Sequence, residues 1–281
     1  MENNTLENKP KYDLSDDKKE FKNKIYAVIA FIVLFFVVSA LSEYLFAFII
    51  SNARNIETDT LIKSLTKFDY DNPDYEEIII SSRYLVLALA NLTGYLLSFI
   101  ALCFFLRKDL KEDLFKLKDD KKFYLIFISI SLVIFLVVVY LFNFLFEKIG
   151  INQSDNQKAI EGMFKYGYGA IMIIPTLLFA PMVEELIYRK CVFYFLRNLH
   201  PLFSYITSVA LFSLPHMITT SSDAKNWFLG LLLYVIPAIL LALIYHKGRK
   251  NIYASFIVHF FNNLVAVILL FIWGEIWLKK I

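Results

Sequence analysis

Residues 168–197 read YGAIMIIPTLLFAPMVEELIYRKCVFYFLR. A run of this length and apolarity can cross a bilayer, for which about 20 residues suffice. Yet Glu184, Glu185 and Arg189 lie well inside it. An ionisable side chain at that depth costs roughly 2.5–3.5 kcal/mol even on lenient insertion scales, and such groups by default face a bundle interior and mark function. Pro175 and Pro181 each remove a rung of the hydrogen-bond ladder, so the segment reads as one kinked helix or as a helix with an interfacial extension.

On both sides of this stretch the pattern repeats. Apolar runs near 25–50, 84–106, 123–146, 202–218, 227–246 and 252–274 are separated by short charged breaks. Together with 168–197 they predict seven spans, with eight possible, in an all-α polytopic transmembrane bundle. Composition agrees: 58% of the 281 residues are hydrophobic, with 28 Phe and 17 Tyr, and the mean hydropathy is +0.56. A net charge of +3 without a basic, aromatic-interleaved stripe excludes a nucleic-acid partner. Cys103 and Cys191 lie in or beside spans without metal-ligand spacing, so they read as packing residues.

Residues 1–24 read as a polar cytoplasmic tail with six lysines, and 25–281 as a single transmembrane domain. The first apolar run is too long for a signal-peptide core and precedes no small-residue cleavage pattern, so it reads as an uncleaved anchor. With the N-terminus inside, 19 Lys and Arg fall on the inner side and 10 on the outer. That asymmetry predicts a multi-pass protein of the cell membrane with a cytoplasmic N-terminus. The outer segment 51–82 reads as a partly ordered loop. Asn91, Thr93 and Ser98 in the second span read as interhelical hydrogen bonders, and His200 and His246 as interfacial residues at span ends.

Two further polar clusters follow the first. His216 sits in LFSLPHM behind Pro215, and His259 with Asn263 in HFFNN. Counting about 1.5 Å per residue, these groups and Glu184 lie at depths that can meet. Glu185 and Arg189, four residues apart, share a helix face and can neutralise each other. Glu184 is left without a nearby cation. A carboxylate, two imidazoles and an amide in a dry site are the parts for hydrolysing a peptide bond. Glu184 can deprotonate a water that His216 orients, while His259 and Asn263 can donate to the developing oxyanion. A polar cavity open to one side must then admit water.

The ordered set EExxxR (Glu184, Glu185, Arg189), FxxxH (Phe212, His216) and HxxxN (His259, Asn263) resembles the CAAX prenyl endopeptidase and bacteriocin-processing (CPBP) group, also called abortive-infection proteins. The resemblance covers roughly residues 165–270, which would hold the catalytic core. It implies an intramembrane glutamic endopeptidase acting on a membrane-associated or lipidated peptide. Glu184 and His216 would activate water, His259 and Asn263 would form the oxyanion site, and Glu185, Arg189 and Phe212 would support them. The family often has glycine after the arginine; Lys190 stands there in this chain.

That reading calls for no cofactor, and its partners are membrane lipid and the peptide substrate. A zinc ion on Glu184 and the two histidines is the alternative, although no HExxH pairing is present. Two readings compete with proteolysis. One is a proton- or ion-coupled transporter with Glu184 and the histidines as charge relay; the other is a non-catalytic immunity or regulatory membrane protein that keeps the motif as structure.

Overall fold

Why the chain breaks where it does follows from its charged junctions and prolines. The computed structural model describes residues 14–69, 74–149, 155–217 and 224–278. Ten helices run through them: α1 (14–54), α2 (Thr58–Thr66), α3 (Glu77–Phe105), α4 (Arg107–Asp119), α5 (Lys121–Lys148), α6 (Asp155–Lys165), α7 (Gly169–Phe195), α8 (Pro201–Ser213), α9 (Ala224–Lys247) and α10 (Ile252–Leu278). No strand occurs among the described residues. The fold is an all-α polytopic bundle, and the chain is a multi-pass membrane protein.

Six helices are long and apolar enough to span: α1, α3, α5, α7, α9 and α10. The expected fifth span, 202–218, differs. Its α-helix has 13 residues and gives way at Leu214–Met217 to a 3-10 turn. At about 1.5 Å per residue, α8 is roughly 20 Å long, shorter than a hydrocarbon layer of about 30 Å. Pro215 supplies no backbone N–H to extend the ladder, so the α-helix ends at Ser213 and His216 sits half-buried in the turn that follows. Residue 218 lies outside the described residues.

Three stretches widen to π-helix: Ile32–Val38 in α1, then Pro175–Phe179 and Glu185–Cys191 in α7. The second has a covalent cause. Ala180 N–H bonds back to the Pro175 carbonyl, five residues earlier. In that register the next carbonyl, Thr176, faces Pro181, which has no N–H to offer. The expected kink is therefore a local change of helical register that leaves a carbonyl for another helix.

Burial puts α7 at the centre. Of its apolar window 56% is buried, against 11% for α1 and for α5. Val183, Leu186, Ile187, Tyr188 and Cys191 form one core with Leu102, Leu106, Phe135, Leu241 and Val258. By contrast α5 presents Leu125, Ile130, Val133 and Val137 outward, the surface a helix offers to acyl chains. Close approach of α1 to α3 depends on Gly94, where a Cβ would meet Ser39 at 3.0 Å.

Each end of the bundle has its own polar pin. At one end Arg54 donates to Ser82 (2.9 Å), Ser81 (3.3 Å) and Tyr168 (3.0 Å), tying α1, α3 and the start of α7. At the other, Lys24 bonds Asp109 at 2.8 Å, Lys190 bonds Asp113 at 2.6 Å, and Arg249 bonds Asp120 at 2.9 Å. This second end gathers the segments that the Lys and Arg count assigned to the inner side.

Several local expectations change. Helix α1 begins inside the stretch read as a polar tail, and Lys24 is 1% exposed; residues 1–13 lie outside the described part. The outer segment 51–82 contains α2, whose Leu61 packs in a small core with Ile50 and Val86. Asn91 and Thr93 donate to Leu87 and Leu89 of their own helix, not across helices, and the buried Ser98 hydroxyl has no hydrogen-bond partner among the described residues. His200 caps α8 by accepting from Leu202 N–H at 3.3 Å, and His246 stacks on Tyr205 at 5.5 Å.

Candidate active site

The widened turns of α7 and the first half of α10 build the site. Glu184 ends the α-helical Ala180–Glu184 piece and Glu185 opens the π-helical one. Both carboxylates approach one imidazole. His259 Nδ1 lies 3.1 Å from Glu185 Oε1, and Nε2 lies 3.8 Å from Glu184 Oε2. The ring is thus wedged between the paired acids, each nitrogen addressing a different one. The sequence alone gave no reason for that wedge, because its spacing joined His259 to Asn263 only.

Glu185 is the buried anchor. It is fully enclosed, as is Arg189, whose Nη1 lies 3.3 Å from Glu185 Oε1, as the four-residue spacing predicted. Arg189 Nη2 donates to the Ala238 carbonyl of α9 at 3.2 Å, and the guanidinium sits 4.6 Å from the Phe212 ring centroid. Glu185 Oε2 and Arg189 Nε and Nη1 have no hydrogen-bond partner among the described residues. A pair this deep holds only because each charge offsets the other's desolvation.

Glu184, 7% exposed, accepts a hydrogen bond from the Tyr95 hydroxyl of α3 at 3.1 Å. Sequence reasoning missed Tyr95. Its signal was depth: tyrosines in spans collect at the membrane interfaces, whereas Tyr95 stands mid-span between Gly94 and Leu96. Phe35, in the π-helical turn of α1, packs on the Tyr95 ring at 4.7 Å, fixing the phenol from behind.

His216 approaches from α8. Its ring stacks on Tyr234 of α9 at 4.4 Å and 2°, and lies 5.5 Å from Phe212. Phe212 in turn lies 5.8 Å from His259. The ring of the FxxxH motif therefore packs against both imidazoles and offers a face to Arg189. Among the described residues, His216 is not in hydrogen-bond or ion-pair contact with Glu184 or Glu185. Trp227 Nε1 donates to the Met217 carbonyl at 3.3 Å and steadies the turn that carries His216.

Asn263 donates to the Thr176 carbonyl at 2.9 Å, the same carbonyl that Pro181 leaves without a backbone donor. Asn262 donates to Asn263 Oδ1 at 3.2 Å, so the amide is oriented from both ends with one N–H still to offer. Lys190, where the resembling family often has glycine, reaches Asp113 on α4 and touches none of the site residues.

The described residues contain no group of three or more His, Cys, Asp or Glu side chains placed to hold a metal ion. A cavity of about 440 Å³ is an apolar groove between α8 and α9 lined by Tyr205, Val209, Ser213, Leu214 and Val235 among others. It reaches the turn before His216 and does not include the carboxylates.

Comparison with known proteins bears on the same segment. Residues 167–265 match the family described as type II CAAX prenyl endopeptidase Rce1-like, a stretch that holds Glu184, Glu185, Arg189, Phe212, His216, His259 and Asn263 and leaves out Tyr95 and Asp113. A protein of Mycoplasma capricolum subsp. capricolum, described as uncharacterized, is 29% identical over 162 residues, which is 54% of this chain and 46% of that protein. The match thus spans about half of that curated relative. No solved structure matches.

Proposed function

We propose that the protein is an intramembrane endopeptidase that hydrolyses a peptide bond in a membrane-associated or lipidated substrate with a water activated by Glu184. The match of residues 167–265 supports CAAX-type intramembrane protease activity in broad terms. The single observation that carries the finer reading is the contact between Glu184 and the His259 ring, 3.8 Å apart, with Tyr95 holding the other carboxylate oxygen.

In this reading Glu184 takes a proton from water as the oxygen attacks the scissile carbonyl, and returns it to the leaving amine. His216, in the turn that follows α8, faces the same water. The oxyanion is met by His259 Nε2 and by the second N–H of Asn263, in surroundings dry enough to make each donor count for several kcal/mol. Two carboxylates face one guanidinium and the His259 ring here, and Nε2 is the ring nitrogen on the Glu184 side. Glu185 orients the ring through Nδ1. No cofactor takes part, the substrate and membrane lipid are the partners, and the protein sits in the cell membrane with its N-terminus and the Lys24–Asp113 end in the cytoplasm.

The test is direct. The purified protein in detergent is incubated with membrane-embedded and lipidated peptides, and new termini are read by mass spectrometry for wild type, Glu184→Ala and His216→Ala. Termini that appear with wild type, vanish in both variants and persist in chelator uphold the proposal. Cleavage lost in chelator and restored by zinc replaces the water mechanism with a metal one. No cleavage, joined to Glu184-dependent solute uptake into vesicles, makes the protein a transporter.

A further inference from the structure

We infer that Asp113, on the surface helix α4 and outside the segment that matches the peptidase family, is a positioning residue that sets the spacing of the two catalytic helices. The inference rests on the peptidase reading above. Asp113 is fully enclosed although it lies on a helix with charged residues on nearly every turn. Its Oδ2 accepts from Lys190 Nζ at 2.6 Å and from the Ile252 backbone N–H at 3.0 Å. Its backbone carbonyl accepts from Asn251 Nδ2 at 2.7 Å, and its Oδ1 accepts from Lys116 at 3.2 Å.

The position of those partners gives the contact its meaning. Lys190 is six residues past Glu184 on α7, and Ile252 is seven residues before His259 on α10. One carboxylate oxygen therefore joins the two rods one to two turns below the reacting groups. Ile252 opens α10, where unpaired N–H groups and the helix dipole favour an anion. Lys190 supplies the countercharge from α7. Neighbouring contacts restrain the same corner: Asp109 lies 3.8 Å from Lys190 and holds Lys24 of α1 at 2.8 Å. Helices are stiff along their axes, so a slip at this corner is transmitted to the gaps between His259 and the paired glutamates. Misplacing reacting groups by about 1 Å can cost about 10²-fold in rate.

Two readouts test this. Spin labels at Asn198, just past α7, and Lys250, just before α10, both exposed, report the spacing by pulsed electron resonance in a background with Cys103 and Cys191 replaced by alanine. Peptide cleavage reports kcat and KM. Asp113→Ala and Lys190→Met are expected to shift or broaden the distance and to lower kcat by roughly tenfold or more, with KM within about twofold; Lys190→Arg, which keeps the ion pair, restores both.

An unchanged distance in Lys190→Met overturns the inference, as does a changed distance with wild-type kcat. Should Asp113→Ala fail to fold, the Lys190→Met and Lys190→Arg pair decides. A wild type that cleaves nothing overturns the peptidase reading, and the label distances then judge the bracket by themselves.

Discussion

The two charged clusters of this bundle are built on opposite plans. Around Asp113 every charge is matched: among the described residues, Lys24, Asp109, Asp113 and Lys190 leave no buried side-chain atom without a partner. Around Glu185 the reverse holds: Glu185 Oε2, Arg189 Nε and Arg189 Nη1 are buried without a hydrogen-bond partner among the described residues, although Nη1 keeps its ion pair with Glu185. A buried polar group without a partner costs about 1–3 kcal/mol, so a purely structural network is expected to look like the first cluster. The second keeps hydrogen-bonding capacity in reserve, which on the proposed function would serve a site that receives water and a peptide. On the proposed function, the first cluster is a brace and the second is part of a working site.

The largest expected effect that bears on this contrast is on rate. Glu184→Gln keeps the shape and the Tyr95 contact but removes the base, and is expected to lower kcat by roughly 10²–10⁴-fold; single-turnover cleavage measures it, with stability unchanged. A Gln variant that cleaves normally erases the distinction between site and brace. Next comes stability. Arg189→Met strands the enclosed Glu185 carboxylate and is expected to cost about 3–5 kcal/mol, most of which Glu185→Leu in the same chain returns. Unfolding of the purified single and double variants checks this, and a double variant as unstable as the single would show that the pair is not coupled.

Asn263→Ala follows, with an expected loss of about 10²–10³-fold in kcat if its remaining N–H meets the oxyanion. Because the same side chain ties α10 to Thr176, the variant is read by pre-steady-state cleavage together with an unfolding curve, and a loss that tracks unfolded protein assigns Asn263 to packing. The smallest effect is at Tyr95→Phe. Hydrogen bonds to charged groups contribute about 1.5–3 kcal/mol, which corresponds to at least about tenfold in rate if the bond orients Glu184 in the transition state. A kcat equal to wild type would confine the site to residues 167–265.

Much of the site was legible because its chemistry is written in local spacing. Glu185 and Arg189 pair as their four-residue separation requires, and Glu184 indeed lacks a sequence-local cation. The roles of Phe212 and Tyr95 were not legible. Phe212 lies in the buried core and there packs against both imidazoles; Tyr95 arrives from α3, nearly 90 residues away in the chain, to bond Glu184. Neither contact follows from periodicity, which specifies a face and not what the face meets. At 202–218 hydropathy likewise sums over Pro215, and the α-helix ends at Ser213.

Sequence by itself determined that this chain lives in a bilayer, that its helices turn at their charged junctions, and that three polar clusters must find one another. Each of these follows from a cost paid residue by residue: exposed backbone and lone charges are too expensive in hydrocarbon. Only the tertiary structure decided which nitrogen of His259 faces which glutamate, that Pro181 hands the Thr176 carbonyl to Asn263, and that Asp113 joins α7 to α10. Those outcomes depend on the rotation and depth of packed helices, which are set by the summed fit of many side chains and not by any short run of residues.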